Sequence, residues 1–373
     1  MYPSVPQRQA LARVFGCARV VFNDALRIRQ DAYRQGLPRP TAAELSKRVI
    51  TEAKKTAERA WLGEVSAVVL QQSLRDLEAA FSNFFASVKG TRKGARMGPP
   101  RFKRKTGRQT VRFTSNAGFR VLSDGLLRLP KIGDLEVRWS RELPSAPSSV
   151  TVIKDPADRY FVSFVVEAED KPLPELDEEA TGTGIDLGLS HYAVLRSRKI
   201  TSPKFFRRQE RKLRRAQRKL SRCQKGSANR RKAKLAVAKI HARVADQRRD
   251  FIEQHTTTIT RESQAVYVED LNAKGIAKTF GKSLHDQSLG MFLRTLEAKC
   301  ARYGRTFVKV DRFFPSTQLC SHCGALTGPK GREQLRIRTW ECNCGAVHDR
   351  DGNAEINLRR EGRRIVAEGR ADT

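Results

Sequence analysis

The sequence predicts a multidomain α+β chain: a helical bundle first, a strand-rich domain second, and a domain of mixed strands and helices last. Three observations lead there. Apolar residues recur at three- and four-residue steps before position 90. Short alternating runs separated by turn residues fill 110–166. Beyond an acidic, proline-bearing linker at 167–179, apolar runs of strand length are interleaved with long helical ones. A chain of 373 residues holds two or three domains at about 150 residues each and can bury a hydrophobic core.

The helices come first. Leu11, Val14, Phe15, Ala18, Val21, Phe22, Ala25 and Ile28 give residues 7–35 one apolar stripe. Gly36-Leu37-Pro38-Arg39-Pro40 stops that helix. Thr41 with Glu44 three residues on is a capping-box pattern and opens a second helix. A third, from about Ser66, aligns Leu70, Leu74, Leu77, Phe81, Phe84 and Phe85 as core. From 89 to 108 Gly, Pro, Lys and Arg dominate, the composition of a solvated basic connection. Within it Phe102 lies between Arg101 and Lys103, a pattern suited to base stacking flanked by phosphate contacts. Strands are expected at 110–114, 126–129, 135–139, 150–154 and 160–166, as an antiparallel sheet or small barrel.

The last domain opens with an apolar strand at 183–187 that carries Asp186, and 191–196 alternates as its hairpin partner. Residues 204–249 hold nineteen Lys and Arg against two acids. Phe205, Leu213, Leu220, Leu235, Ile240 and Val244 keep a helical period around a turn at 225–229, so a helical hairpin with a thin apolar seam is expected. Like charges at i,i+4 repel along it, and a bound phosphate backbone offsets that repulsion. Arg207, Arg211, Arg214, Arg218, Lys225, Arg230 and Arg231, with Arg101, Phe102 and Lys103, are the candidate nucleic-acid contacts. A buried strand at 265–268 then ends in Glu269. A helix at 288–303 closes at Gly304, a strand follows at 306–310, and a last helix is expected at 351–361.

The formal charge of +33 points to a polyanionic partner. Neither end carries an amphipathic anchor, no run approaches about 18 apolar residues, and no signal peptide is visible. No membrane partner is expected, and the expected location is cytoplasmic. Seven cysteines with two close pairs favour metal over disulfides. Cys17, Cys223 and Cys300 stand apart and read as free thiols in helices.

Two constellations carry chemistry. Asp186 lies inside an apolar strand, where a carboxylate needs a partner. Glu269 ends a later strand, and Asp351 opens the last helix. That layout resembles the RNase H-like fold of RuvC-type nucleases, in which carboxylates share divalent cations. Two Mg2+ about 4 Å apart can activate water and stabilise the leaving oxygen of a phosphodiester. Asp349 and Asp270 are neighbours rather than ligands, and a buried ion pair is the structural alternative for Asp186. The second constellation is Cys320-x2-Cys323, eighteen residues, then Cys342-x-Cys344, a zinc-ribbon spacing with a tight second knuckle that Gly345 helps to form. The site reads as structural zinc. His322 or His348 as a substitute ligand, or four free thiols, are the alternatives.

These residues together resemble the TnpB (OrfB) proteins of insertion sequences, which are similar to type V CRISPR effector nucleases. The matching stretches are Gly184-Ile185-Asp186-Leu187-Gly188, Val268-Glu269-Asp270-Leu271, 308–316, Cys320 to Cys323 with Gly324, and His348-Asp349-Arg350-Asp351-Gly352-Asn353-Ala354. Trp61-Leu62 through Phe84-Phe85 and Pro100-Arg101-Phe102 match as well. The resemblance implies a helical recognition bundle at 1–90, a β-barrel wedge domain at 91–170 and a RuvC-like nuclease domain at 180–373. Within the last lie the basic helical hairpin, 204–262, and a zinc-ribbon insert for target nucleic acid, 315–348. It implies a guide RNA from the element's end, a double-stranded DNA target beside a short motif, and catalytic Mg2+ on Asp186, Glu269 and Asp351. It implies structural Zn2+ on Cys320, Cys323, Cys342 and Cys344, in a bacterial or archaeal, nucleoid-associated protein. The family usually begins with a strand before its Tyr-Pro; here Tyr2-Pro3 follows Met1 directly, so that strand is expected to be missing. A non-cutting RNA-guided regulator and a structural RNA-binding or zinc-ribbon protein are the alternatives. Three metal-ready acids count against the first, and Asp186 within its apolar strand against the second.

Overall fold

The computed structural model describes residues 1–92, 94–169, 172–270, 281, 286–331 and 333–369, apart from the side chain of Leu335. Leu271 of the acidic motif lies outside the described residues. The chain divides into two units, Met1–Ala168 and Glu169–Thr373.

In the first unit, helix α1 (Val5–Arg34) buries its expected stripe. α2 (Ala42–Ser46) starts at the Thr41–Glu44 box: the Thr41 amide donates to Glu44 Oε2 at 2.7 Å, and the Glu44 amide to Thr41 Oγ1 at 3.2 Å. α3 (Ala67–Val88) packs along α1 through Val69, Leu70 and Leu77, and Ser73 donates to the Ala18 carbonyl at 2.6 Å. The stripe leaves the core after Leu77. Phe81 and Phe84 are only half-buried and Phe85 is exposed. Arg29 of α1 lies over the Phe81 ring, and α1 ends five residues later, so the last turn of α3 has no helix to pack on.

Two three-stranded antiparallel sheets follow. One has the order β1 (Gln109–Thr114), β5 (Ser149–Lys154), β6 (Tyr160–Val165). The other runs β2 (Arg120–Val121), β3 (Leu127–Leu129), β4 (Gly133–Leu135). The expected barrel is not closed among the described residues. Val111, Phe113, Val150 and Val152 instead share one core with α1 and α3, so helices cover the sheet face that a barrel would turn inward. The strand expected at 135–139 ends at Leu135. Beyond it Trp139 donates to the Gly125 carbonyl at 2.7 Å and stacks on Phe164, 5.2 Å between ring centres, tying the sheets together.

The second unit is a sheet buried on both faces. β7 (Thr183–Ile185) and β11 (Thr306–Val310) flank β10 (Ala265–Glu269), all parallel. The hairpin β8 (His191–Val194) and β9 (Lys199–Thr201) joins at Asp186, which exchanges backbone bonds of 3.1 and 2.8 Å with Val194. The order is therefore β9-β8-β7-β10-β11. α4 (Glu178–Thr181) precedes it. On one face Ile185, Tyr192, Val266 and Val268 meet Ile252 and Ile259 of α6 (Ala228–Glu262) and Phe292, Leu296 and Cys300 of α7 (Leu289–Tyr303). On the other, Ala265, Tyr267 and Val308 meet Ile365 and Val366 of α8 (Arg350–Ala367). That contact, with Arg364 paired to Glu361 and Glu368, carries α8 beyond its expected end at 361. α5 (Phe205–Arg222) and the first half of α6 form the hairpin, seamed by Leu213, Ala233 and Val244.

Candidate metal centres and nucleic-acid interface

Ile185 and Val268 are register partners on parallel neighbours, so Asp186 and Glu269, one residue on, leave the sheet at the same end. Asp351 comes to them on α8. One turn further along that helix, Glu355 accepts the Gly184 amide at 3.0 Å, two residues before Asp186. Gly184 is required there: a Cβ would stand 2.2 Å from the Glu355 carbonyl oxygen. At the far end of α8, a Cβ on Gly362 would stand 2.1 Å from the Tyr267 ring. Helix and sheet thus meet backbone to backbone at Gly184, and through the Tyr267 ring laid directly on the helix backbone at Gly362.

The charges at this edge oppose one another. Burial, then the charges of Asp351 and Glu269, push the Asp186 carboxyl up to about 7. Burial and Asp270 push Glu269 up to about 6. Both residues are half-buried. Asp351 accepts from Arg338 Nη1 at 3.2 Å, and its other oxygen lies 3.4 Å from His191 Nδ1. Arg338 also reaches Ser190 Oγ. The neighbouring acids have other partners: Asp349 caps α8 through the Gly352 amide at 2.8 Å and pairs with Lys199 at 3.0 Å, while Asp270 pairs with Arg312. Arg338, His191 and Glu355 were not among the sequence candidates. Each acts through a contact at least four residues away, and no local pattern marks it.

The four cysteines converge, with all sulfurs within 4.8 Å of one another. Cys320 and Cys344 sulfurs stand 3.8 Å apart, Cys323 and Cys342 3.6 Å. A tetrahedron with Zn–S bonds of about 2.3 Å has edges of about 3.8 Å, so the donor set fits zinc. Both knuckles are built alike. The amides of Cys320 and Cys342 donate to the Ala325 and Ala346 carbonyls at 2.8 and 2.9 Å. Gly324 and Gly345 follow with φ of +79° and +81°, a conformation that glycine adopts without strain. The Cys344 backbone and the Thr327 hydroxyl hold the Cys342 thiol down to about 6, favouring the thiolate a soft cation takes. His348 Nε2 lies 3.0 Å from Cys320 Sγ and His322 Nδ1 3.7 Å from Cys344 Sγ, both beside the tetrad.

The basic candidates divide. Arg207, Arg211, Arg214 and Arg218 line one open groove along α5 with Glu210, to which Arg214 is paired at 2.7 Å. Lys225 and Arg231 are exposed at the turn, and Arg101 and Phe102 on the connection. Arg230 is engaged: its guanidinium donates to the Leu220 and Cys223 carbonyls at 3.0 Å each, capping α5. Lys103 is held over the Phe22 ring at 4.1 Å, its backbone clasped by Asn23.

An acid raised in the fold is more protonated folded than unfolded between its free value, 3.8, and about 7. Stability therefore falls as pH rises through that window and stays low above it. Asp186→Asn removes this cost. In metal-free buffer the variant should unfold several degrees higher than wild type at pH 8 and at nearly the same temperature at pH 4. Equal shifts at both pH values in scanning calorimetry, or none, contradict the coupling.

Known proteins match both units. Residues 163–279 match the OrfB model of IS605-type elements, described as a probable transposase. Residues 290–358 match a Cas12f1-like TNB domain. Residues 1–37 match a helix-turn-helix domain, although Val5–Arg34 is one helix here. A putative RNA-guided DNA endonuclease of Streptomyces pristinaespiralis is 42% identical over 364 residues, covering 96% of this chain and 86% of that protein. InsQ of Escherichia coli K12, also a putative RNA-guided DNA endonuclease, is 27% identical over 387 residues, covering 99% and 90%. A Cas12f1–sgRNA–target DNA complex solved by cryo-EM aligns with a TM-score of 0.51 at 14% identity, covering 94% of this chain and 82% of that one, a likeness of fold alone. On an identity of 42% over nearly its whole length and on these matched domains, the chain belongs to the OrfB (TnpB) family of IS605-type elements.

Proposed function

We propose that this protein is an RNA-guided endonuclease that cuts double-stranded DNA beside a short motif, with Asp186, Glu269 and Asp351 as its metal-holding carboxylates. One observation carries the reading: acids from three distant segments lie close enough at one sheet edge to feel one another's charge, and burial together with Asp351 and Glu269 pushes Asp186 up toward neutrality. Such a site suits cations, because a divalent ion relieves the repulsion at Asp186 and Glu269 that Arg338, paired with Asp351, leaves unmet. Hard oxygen donors suit Mg2+. When bound there, two Mg2+ supply an activated water and neutralise the leaving oxygen.

The chain's own residues do the rest. Asp186 and Glu269 surrender protons as the site fills, so filling strengthens as pH rises through 6 to 7. Until then Arg338 pairs with Asp351, and His191 Nδ1 lies beside its other oxygen. The arginine face of α5 follows a phosphate backbone, guide pairing reads the target, and the protein reads only the adjacent motif. Cys320, Cys323, Cys342 and Cys344 would hold a structural zinc that fixes the insert preceding α8.

To test this, the chain is expressed with its native downstream DNA, and the RNA that copurifies is sequenced and matched to a duplex target. Wild type should carry one discrete RNA and cut the target in Mg2+; Asp186→Ala should keep the RNA and lose cutting to background. Cutting by a pure Asp186→Ala preparation refutes the site. A discrete RNA with no cutting by wild type gives the non-cutting regulator, and a random RNA mixture a non-specific binder. A second expectation concerns the hairpin. Replacing Arg211, Arg214 and Arg218 by Ala should lower the slope of log affinity for RNA against log salt by about two, at roughly 0.7 to 0.9 per lost phosphate contact. An unchanged slope in anisotropy titrations removes that face from the interface.

A further inference from the structure

We propose that Asn353 and Asn357 clamp the first cysteine knuckle to the helix that carries Asp351, so that zinc loading of the cysteines and the placement of Asp351 are one event. The proposal rests on the zinc reading above and is independent of cutting.

Both asparagines are 2% exposed, one turn apart on α8. Their amide nitrogens donate to the same two carbonyls of the loop leading into the knuckle. Asn353 Nδ2 reaches Ser316 O at 3.3 Å and Leu319 O at 2.8 Å; Asn357 Nδ2 reaches them at 2.9 and 2.6 Å. Asn353 Oδ1 accepts the Ser321 amide at 2.9 Å, from the residue between Cys320 and His322. Arg360, a turn further on, donates to the Ser321 carbonyl. One face of α8, at 353, 357 and 360, thus satisfies four backbone groups of the loop around Cys320.

Asparagine is a poor helix former, because its side chain competes for nearby backbone groups. A buried amide without partners is costly, so these two are at home only with the loop in place. The loop in turn is shaped by Cys320 and Cys323 meeting Cys342 and Cys344. Asp351 is two residues before Asn353 on the same helix, so releasing the loop removes one of the two sets of contacts that hold the first turns of α8, the other being Glu355 on the Gly184 amide. A second route runs in the same direction: His348, beside Cys320, directly precedes the Asp349 cap of α8.

The test uses the full chain and no cleavage. Zinc stoichiometry is measured on wild type. Zinc affinity is then titrated against a chromogenic chelator for wild type, Asn357→Ala and Asn357→Asp, the last keeping size but losing the donor. Hydrogen exchange over 350–358 is followed in wild type with zinc and after chelation. One zinc per wild-type chain, a loss of affinity of about ten- to a hundredfold in both variants, and faster exchange over 350–358 after chelation with none over 67–88, are expected. Wild-type affinity in either variant, or exchange over 350–358 that ignores zinc, overturns the clamp. Should a variant fail to fold, the wild-type exchange comparison alone decides. A wild type that binds no zinc overturns the metal reading itself, and is seen before any variant is compared.

Discussion

The acidic site depends on how closely α8 lies against the sheet. Gly184 and Gly362 remove the side chains that would hold helix and strands apart, and Glu355 spends its carboxylate on the Gly184 amide. Asp351 and Asp186 are 165 positions apart in sequence, yet their distance is set within one helical turn of that contact. A bulkier residue at either glycine would tilt α8 and move Asp351 without touching it. The strand register does the same for the other pair, since Asp186 and Glu269 each follow a paired residue by one step.

What this geometry assembles is unfavourable in isolation. The fold puts Asp186 within reach of the charges of Glu269 and Asp351, raises Asp186 and Glu269, and sets Arg338 and His191 against Asp351. A protein that needed only stability would have placed apolar residues or matched ion pairs here. The cysteine tetrad is the opposite case. Its two knuckles repeat one backbone design, and four thiolates would leave a single bound zinc no open coordination position. One centre is held under tension at a solvent-facing edge, the other is closed, and α8 is attached to both.

Much of this was legible in the sequence because it is local. Apolar periodicity placed α1, α3, α5 and α6; the Thr41–Glu44 box opened α2; an acid flanked by Ile185 and Leu187 marked Asp186; and paired cysteines followed by glycine marked both knuckles. What was missed is tertiary. Alternation yields strands but not closure, so two sheets covered by α1 and α3 read as a barrel. Phe81, Phe84 and Phe85 continue a stripe whose partner helix has ended. Arg230 reads as a phosphate contact by its charge, and nothing local shows that its guanidinium also caps α5. Arg338 sits between the cysteine pairs, where nothing in the spacing links it to an acid thirteen residues on.

The central claim is that the Asp186, Glu269 and Asp351 edge is a divalent-cation site. Crystals soaked in Mn2+ near pH 8 test it directly by anomalous scattering. The account predicts anomalous density among the three carboxylates, with Arg338 withdrawn from Asp351. Saturating Mn2+ with no density there, and the Arg338–Asp351 pair intact, would contradict it.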